Sequence, residues 1–295
     1  MRRLIENGDI KNWDDMEKLW HHTYKELGVQ PEEFPVLLTE APTNPAASRE
    51  KMTETMFEAF RVPALYVANK AVLALLASGR TTGLVLDSGY DTTFSVPIYE
   101  GYALPYCVQH IGVGGRHVTL QLLQLLSQSG HTLSLNIAND VKEKLCHVAF
   151  DDQNDLSFNS GSEGYELPDG KVIFIEGKSG LVGEKDIFGF SEAILKSVDT
   201  RCDAMLELRK DMYRNTILSG GNTMFPGLQD RLDHELNSKL SPRNGRWAVF
   251  APSERKLTTW IGGSILGSLS TFQQMWISKE EYGEVGPSIV SRKCF

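Results

Sequence analysis

Apolar residues recur at helical spacing from the start of the chain. Trp13, Met16, Trp20, Tyr24 and Leu27 fall three or four apart, Asp14, Asp15 and Glu17 occupy the first turn, and Gly28 follows, which predicts a helix from near Asn12 to Leu27. The apolar run 35–40 predicts a short buried strand, and Met52, Met56 and Phe60 share one face of a helix over 48–60. Residues 64–67 read as a strand feeding an Ala- and Leu-rich helix, 69–78. A β-rich patch covers 82–87, 92–100 and 102–105, followed by helices over 115–126 and 137–150. The polar stretch 151–164 reads as a surface loop, 165–176 as a hairpin turning at Asp169 and Gly170, and 178–190 is glycine-rich without a clear period. Helices then cover 191–213 with a break near Thr200. A strand over 215–219 runs into Gly220 and Gly221, a helix spans 226–240, and 247–251 is the last clear strand. This alternation predicts an α/β fold.

Composition narrows the function. The 295 residues are 41% hydrophobic, enough for a packed core in one large domain or two ordinary ones. A net charge of -8 repels phosphate backbones and anionic headgroups, which argues against a nucleic-acid or membrane-surface binder. Cys107, Cys146, Cys202 and Cys294 show neither CxxC nor Cys/His metal spacing and suit reduced thiols of the cytosol or nucleus. Arg2 and Arg3 lead into Glu6, Asn7 and Asp9 rather than an apolar leader core, and no apolar stretch is long enough to span a bilayer.

Several glycine-rich turns are candidates for holding phosphate. Leu84 to Leu86 form an apolar strand that ends in Asp87, Ser88 and Gly89. An aspartate there can hold a metal-bound water, and the small residues admit backbone N–H groups to an anion. Asp-Ser-Gly also favours an ordinary β-turn. A second candidate is the strand running into Gly220 and Gly221, with a helix start beyond them. A third is Gly112-Val113-Gly114-Gly115 ahead of a helix, beside Arg116; His110 and His117 around it receive no role from the pattern. Gly177-Lys178-Ser179 imitates the end of a P-loop, but the first required glycine falls on Val172.

Three blocks carry a resemblance. KLTTWIGGSILGSLSTFQQMW over 256–276 with the closing SIVSRKCF, NWDDMEKLWHHTYKELGV from Asn12, and ASGRTTGLVLDSG over 77–89 closely resemble the actin family. The resemblance implies the α/β superfold that actins share with sugar kinases, in which two lobes close over ATP and a divalent cation. It divides the chain into 1–78 (larger lobe and hinge helix), 79–256 (second lobe, with an insertion near 115–190) and 257–295 (a return to the larger lobe). The family's first phosphate-binding hairpin and lobe tip are expected to fall before Met1.

On this alignment Asp87, Ser88 and Gly89 form the second phosphate hairpin, with Asp87 reaching the metal through water. Gly220, Gly221, Met224 and Phe225 lie against the nucleotide. Lys142 and Glu143 match the adenosine-contacting pair, Gly115 the glycine near the ribose, and Lys256 the lysine at the adenine. ATP or ADP with Mg²⁺ or Ca²⁺ is the implied cofactor. Departures cluster at the chemistry: Lys70 stands for the family's water-positioning glutamine, Phe94 for its histidine near the attacking water, and Tyr90 for a carboxylate. Phenylalanine makes no hydrogen bond and a protonated lysine accepts none. Little or no ATP hydrolysis is therefore expected, with nucleotide binding weakened or lost. The alternative is an active actin-like ATPase that assembles into or with actin filaments.

The resemblance also implies an apolar cleft at Leu76, Gly79, Thr81, Ile265, Leu266, Leu269, Thr271 and Met275, where actin-binding proteins dock amphipathic helices. The helical spacing of Ile265, Leu266 and Leu269 equally fits plain core. The expected partners are actin and such proteins, in the cytoplasm and cytoskeleton or the nucleus. Co-assembly at a filament end is expected ahead of ordinary self-assembly, because 178–190 and 127–139 are shortened or charged.

Overall fold

A computed structural model describes residues 3–150, 163–168, 170–175, 189–199, 203–239 and 246–294. The expected loop over 151–162, the turn residue Asp169 and the stretch 178–188 lie outside the described residues. Contacts divide the chain into two compact units: Met1–Thr82, Ile98–Tyr106 and Thr258–Phe295 form the first, and Gly83–Pro97 with Cys107–Leu257 the second. The short segment Ile98–Tyr106 belongs to the first unit, whereas the alignment groups it with 79–256. It is tied there by backbone N–H groups: Gly101 donates to the Thr81 carbonyl at 2.8 Å and Glu100 to Thr82 Oγ1 at 3.0 Å.

The first unit is built on a three-stranded sheet in the order Ile277–Ser278, Ala64–Asn69, Val36–Glu40. Val36–Glu40 pairs in parallel with Ala64–Asn69, and the helix Ala46–Glu58 makes the crossover between them. The helix Trp13–Leu27 begins where Asn12 Oδ1 accepts the Asp15 N–H at 3.0 Å, a cap that contributes about 1 kcal/mol. It stops at Gly28, whose φ of 68° suits the left-handed region. Its apolar stripe reaches the core: Trp20 meets Phe60 edge-on at 6.2 Å, and Phe60, Met56, Leu65, Val67, Leu73 and Val290 are fully buried around it.

Asn69 ends its strand and caps the helix Lys70–Ala77 by accepting the Ala71 N–H at 2.9 Å. That helix packs along Thr258–Ser268, where Gly262 sits so close to the Leu73 carbonyl that a Cβ would stand 1.8 Å from its oxygen. The chain end is fastened by Arg49, which donates to the Cys294 carbonyl at 2.7 Å, and by Lys293, which reaches the Trp276 carbonyl at 2.6 Å and both Glu281 oxygens at 2.8 Å.

Glu281 gives this unit an acid-sensitive anchor. The hydrogen bond from Lys293 and the Ser278 N–H hold its carboxyl below the usual carboxylate range. Its contribution is complete above the unfolded value and is lost as pH falls through the folded one. Glu281→Gln should therefore flatten the acid side of the stability profile. Urea midpoints compared between pH 7 and 3 read this directly, and a variant that loses as much stability in acid as the wild type would refute it.

The second unit is built on a sheet in the order Val249–Phe250, Thr216–Ser219, Gly83–Ser88, Thr93–Tyr99, with Gln109–Ile111 paired to the start of the last. Thr216–Ser219 runs parallel to both neighbours, and Gly83–Ser88 is buried along its whole length, as an apolar central strand requires. The outer edge at Val249 is covered by one face of the helix Leu228–Lys239. Gln229 donates to the Val249 carbonyl at 2.8 Å, while Asn237 accepts the Trp247 N–H at 2.8 Å and donates to its carbonyl at 3.1 Å. Trp247 is fully buried and donates to Thr216 Oγ1 at 2.9 Å.

Two expected helices are shorter than their patterns. The one expected over 137–150 is Leu135–Leu145, begun by the Ser134 cap and ended where Cys146 turns extended. The one expected from Pro226 begins at Leu228, after a 3-10 turn over Gly221–Thr223. Among the described residues no helix is long and apolar enough to cross a membrane.

Candidate functional site

In the second unit three turns converge beside the central strands. The first leaves strand Gly83–Ser88: the Gly89 N–H donates to the Thr92 carbonyl at 2.9 Å and closes a tight hairpin into Thr93–Tyr99. The second is the GVGG turn. Gly114 lies flat against the hairpin, since a Cβ there would stand 2.6 Å from the Asp91 carbonyl carbon. The third begins at Gly220, whose φ of 89° and contact with the Ser88 carbonyl, 2.2 Å from a notional Cβ, leave room for glycine alone.

These contacts overturn one expectation. The helix Gly115–Gln128 does not present its first N–H groups to an anion: Gly115 donates to the Gly89 carbonyl at 2.9 Å and Arg116 to that of Tyr90 at 2.8 Å. After Gly220 the chain makes one 3-10 turn, Gly221–Thr223, before the helix Leu228–Lys239. His117, given no role by the sequence, completes the GVGG turn: its Nδ1 accepts the Gly114 N–H at 3.2 Å while its own N–H donates to the Gly114 carbonyl at 3.0 Å. His110 stacks on Phe94 with ring centroids 4.7 Å apart.

Between the turns lies a cleft of about 360 Å³, within the usual range for small-molecule sites. Of the residues expected at a nucleotide, Gly89, Gly115, Lys142, Glu143, Gly221, Met224, Phe225 and Lys256 line it. Tyr90, Asn139, Cys146, Asn222 and Pro226 complete the lining. Asp87, Ser88 and Gly220 do not line it. Asp87 is 4% exposed and pairs across the sheet with Ser219. Phe94 is fully buried, and Lys70 opens its helix in the first unit.

The side chains are already engaged. Lys142 Nζ donates to the Gly115 carbonyl at 3.1 Å, Thr119 Oγ1 at 3.0 Å and Asn139 Oδ1 at 2.9 Å, which uses all three of its hydrogens. Burial pulls this ammonium below the usual lysine range, against the charges of Glu143 and Cys146. Lys142 thus braces helix Leu135–Leu145 against helix Gly115–Gln128. Asn139 passes the brace on by donating to Glu143 Oε1 at 2.8 Å, leaving Glu143 exposed at the rim as an acceptor. The Cys146 thiol is pushed up to about 12 by burial, with Lys142 opposing, so the cleft carries no thiolate at neutral pH.

Ser88 belongs to a directional relay. Thr93 Oγ1 donates to the Val113 carbonyl at 2.7 Å, so the Ser88 hydroxyl, 2.6 Å away, donates to Thr93, and Asn222 Nδ2 donates to Ser88 at 2.9 Å. Its hydroxyl hydrogen is therefore not offered to a phosphate in this arrangement. Asn222 is 5% exposed and its Oδ1 has no hydrogen-bond partner among the described residues. Asn222 directly follows the glycine pair of the second phosphate candidate, but its residue type alone assigns it no role.

A family model described as Actin matches residues 1–134 and 130–295. The chain belongs to the actin family. The two matches meet in the connection between helices Gly115–Gln128 and Leu135–Leu145, and the mixed α/β sheets and helices are those of an actin-like fold. The expected partner-cleft residues all lie in the first unit. Leu266 and Met275 pack against its core, while Ile265 and Leu269 are 38% and 42% exposed. Leu76 is half-buried on the neighbouring helix, and Gly79, Thr81 and Thr271 are exposed.

Proposed function

We propose that this actin-family chain is a cytoskeletal structural protein that keeps a nucleotide cleft but turns ATP over little or not at all. The observation that carries the reading is the contrast between that cleft and the catalytic positions. Residues matched to the nucleoside end line one cavity, whereas Phe94 is a buried apolar ring stacked on His110. Hydrolysis requires an oriented water beside the γ-phosphate, and neither Phe94 nor a protonated Lys70 accepts a hydrogen bond to orient one.

The lining suits the nucleoside. Gly115 and Gly221 would admit close approach, Glu143 would accept from a sugar hydroxyl, and Lys256, whose side chain lies against Gly221, would cover the base. Asp87 is the carboxylate that would act on Mg²⁺ or Ca²⁺ through water. When bound, the cation would supply charge neutralisation. Tyr90, 58% exposed at the hairpin tip, brings no carboxylate to help arrange its waters.

The exposed Ile265 and Leu269, beside the packed Leu266 and Met275, support a second interface. There an amphipathic helix of an actin-binding protein would dock, with co-assembly at a filament end as the setting.

Equilibrium titration with fluorescent ATP, with and without Mg²⁺, tests the cleft. Saturable binding with no steady phosphate release is expected. Sustained phosphate release by purified protein, abolished by Asp87→Ala, would overturn the non-hydrolytic reading. A folded protein that binds no nucleotide would overturn the cleft assignment.

A further inference from the structure

Asn222 presents a fixed acceptor to the cleft wall. The relay that ends on the Val113 carbonyl runs one way only, because a carbonyl cannot donate. Ser88 has therefore spent its hydrogen on Thr93 and can only accept from Asn222. The amide cannot flip without setting two acceptors face to face, so Oδ1 is held on the opposite side, toward Gly115. A Cβ on Gly115 would stand 3.3 Å from that oxygen and 3.4 Å from Lys142 Nζ. The oxygen is buried and accepts no hydrogen bond from the described residues, which is costly for a buried carbonyl.

The chemistry of a partner follows from this. It must donate, which excludes a phosphate oxygen. It should be uncharged, because the Lys142 ammonium lies beside the same point and repels a second cation. It must also pass a residue without a side chain, as only Gly115 allows. Resting on the nucleotide reading above, we propose that Asn222 is a specificity-determining residue whose Oδ1 accepts a hydroxyl of the ligand's sugar. Because the oxygen is closed in the free protein, that hydroxyl would enter only where Gly115 parts slightly from the Gly221–Thr223 turn in the bound state. Glu143 at the rim takes a second hydroxyl, so the site selects ribonucleotides over deoxynucleotides. Asn222 and Glu143 divide the two hydroxyls between them.

The test measures affinity for ATP, 2′-deoxyATP and 3′-deoxyATP in the wild type, Asn222→Ala and Glu143→Gln. In the wild type, loss of either hydroxyl should weaken binding about tenfold, the cost of leaving a buried acceptor unpaired. One of the two penalties should shrink below about twofold in Asn222→Ala yet persist in Glu143→Gln, the signature of a specific pairwise coupling. Gly115→Ala, which crowds the approach to Oδ1, should lose the same penalty, and it serves if Asn222→Ala does not fold. Unchanged penalties for both hydroxyls in Asn222→Ala, or in Gly115→Ala where that stands in, would overturn the assignment while leaving the nucleotide cleft intact. Failure of folded wild-type protein to bind any of the three would overturn both.

Discussion

Gly220→Ala is expected to lower the stability of the second unit by about 3 kcal/mol or more and to abolish ligand binding in its cleft. Two costs add. At φ 89° and ψ 154° the backbone occupies a region that is nearly glycine-only. The new methyl would also stand 2.2 Å from the Ser88 carbonyl oxygen. Neither side can give way cheaply. The Gly220 N–H is bound to the Arg255 carbonyl at 2.9 Å, and Ser88 ends a buried strand and sits in the relay between Asn222 and Thr93. Moving Gly220 therefore moves Gly221 and Asn222 together. The neighbour supplies the control: a Cβ on Gly221 would meet nothing nearer than the Lys256 side chain at 3.9 Å, so Gly221→Ala should leave the urea midpoint close to wild type. Equal midpoints for the two variants would show that the approach to Ser88 is no constraint.

In the first unit the corresponding position is Gly262. Its notional Cβ overlaps the Leu73 carbonyl at 1.8 Å, so Gly262→Ala must push helix Thr258–Ser268 off helix Lys70–Ala77. Leu73 is fully buried and its neighbours Ala71, Ala74 and Leu75 pack just as tightly, so the separation opens a core seam. A loss of about 3 kcal/mol is expected from overpacking of this kind. Gly267 lies on the same helix with nothing within 4 Å of its notional Cβ. Gly267→Ala should instead stabilise by about 0.5–1 kcal/mol, since alanine costs less backbone entropy in a helix. Urea denaturation of both variants reads the difference. A Gly262→Ala protein as stable as Gly267→Ala would mean that the two helices do not meet as closely as described.

Much of the fold was legible because its signals are local. The stripe through Trp13, Met16, Trp20 and Tyr24 and the stop at Gly28 give the first helix, which the structure starts one residue after its Asn12 cap. The apolar run before Asp87 gives the central strand. The chain over 135–150 is less legible. Its apolar pattern continues to Val148 and Phe150, but Cys146 leaves the helix and the Val148 N–H donates to the Pro226 carbonyl at 2.9 Å, a distant partner that no local pattern contains. The 3-10 turn over Gly221–Thr223 is likewise not written locally, since Gly220 against Ser88 shapes it before the helix begins at Leu228.

The candidate site divides along the same line. The residue types and family blocks were enough to name Gly89, Gly115, Glu143, Gly221 and Lys256, and these do line one cleft. Which groups remain available there was not written locally. Lys142 reads as an exposed lysine at a base, yet acceptors on two helices draw its ammonium inward. Ser88 reads as a phosphate contact, yet its hydroxyl is spent on Thr93 and its second bond comes from Asn222, 134 residues away. By itself the sequence determined the family, the order of helices and strands, and the glycines on which three turns depend, because periodicity and backbone permissiveness belong to single segments. Only the tertiary structure decided which polar atoms around the cleft are satisfied, because hydrogen-bond direction is set jointly by groups that folding alone brings within 3 Å.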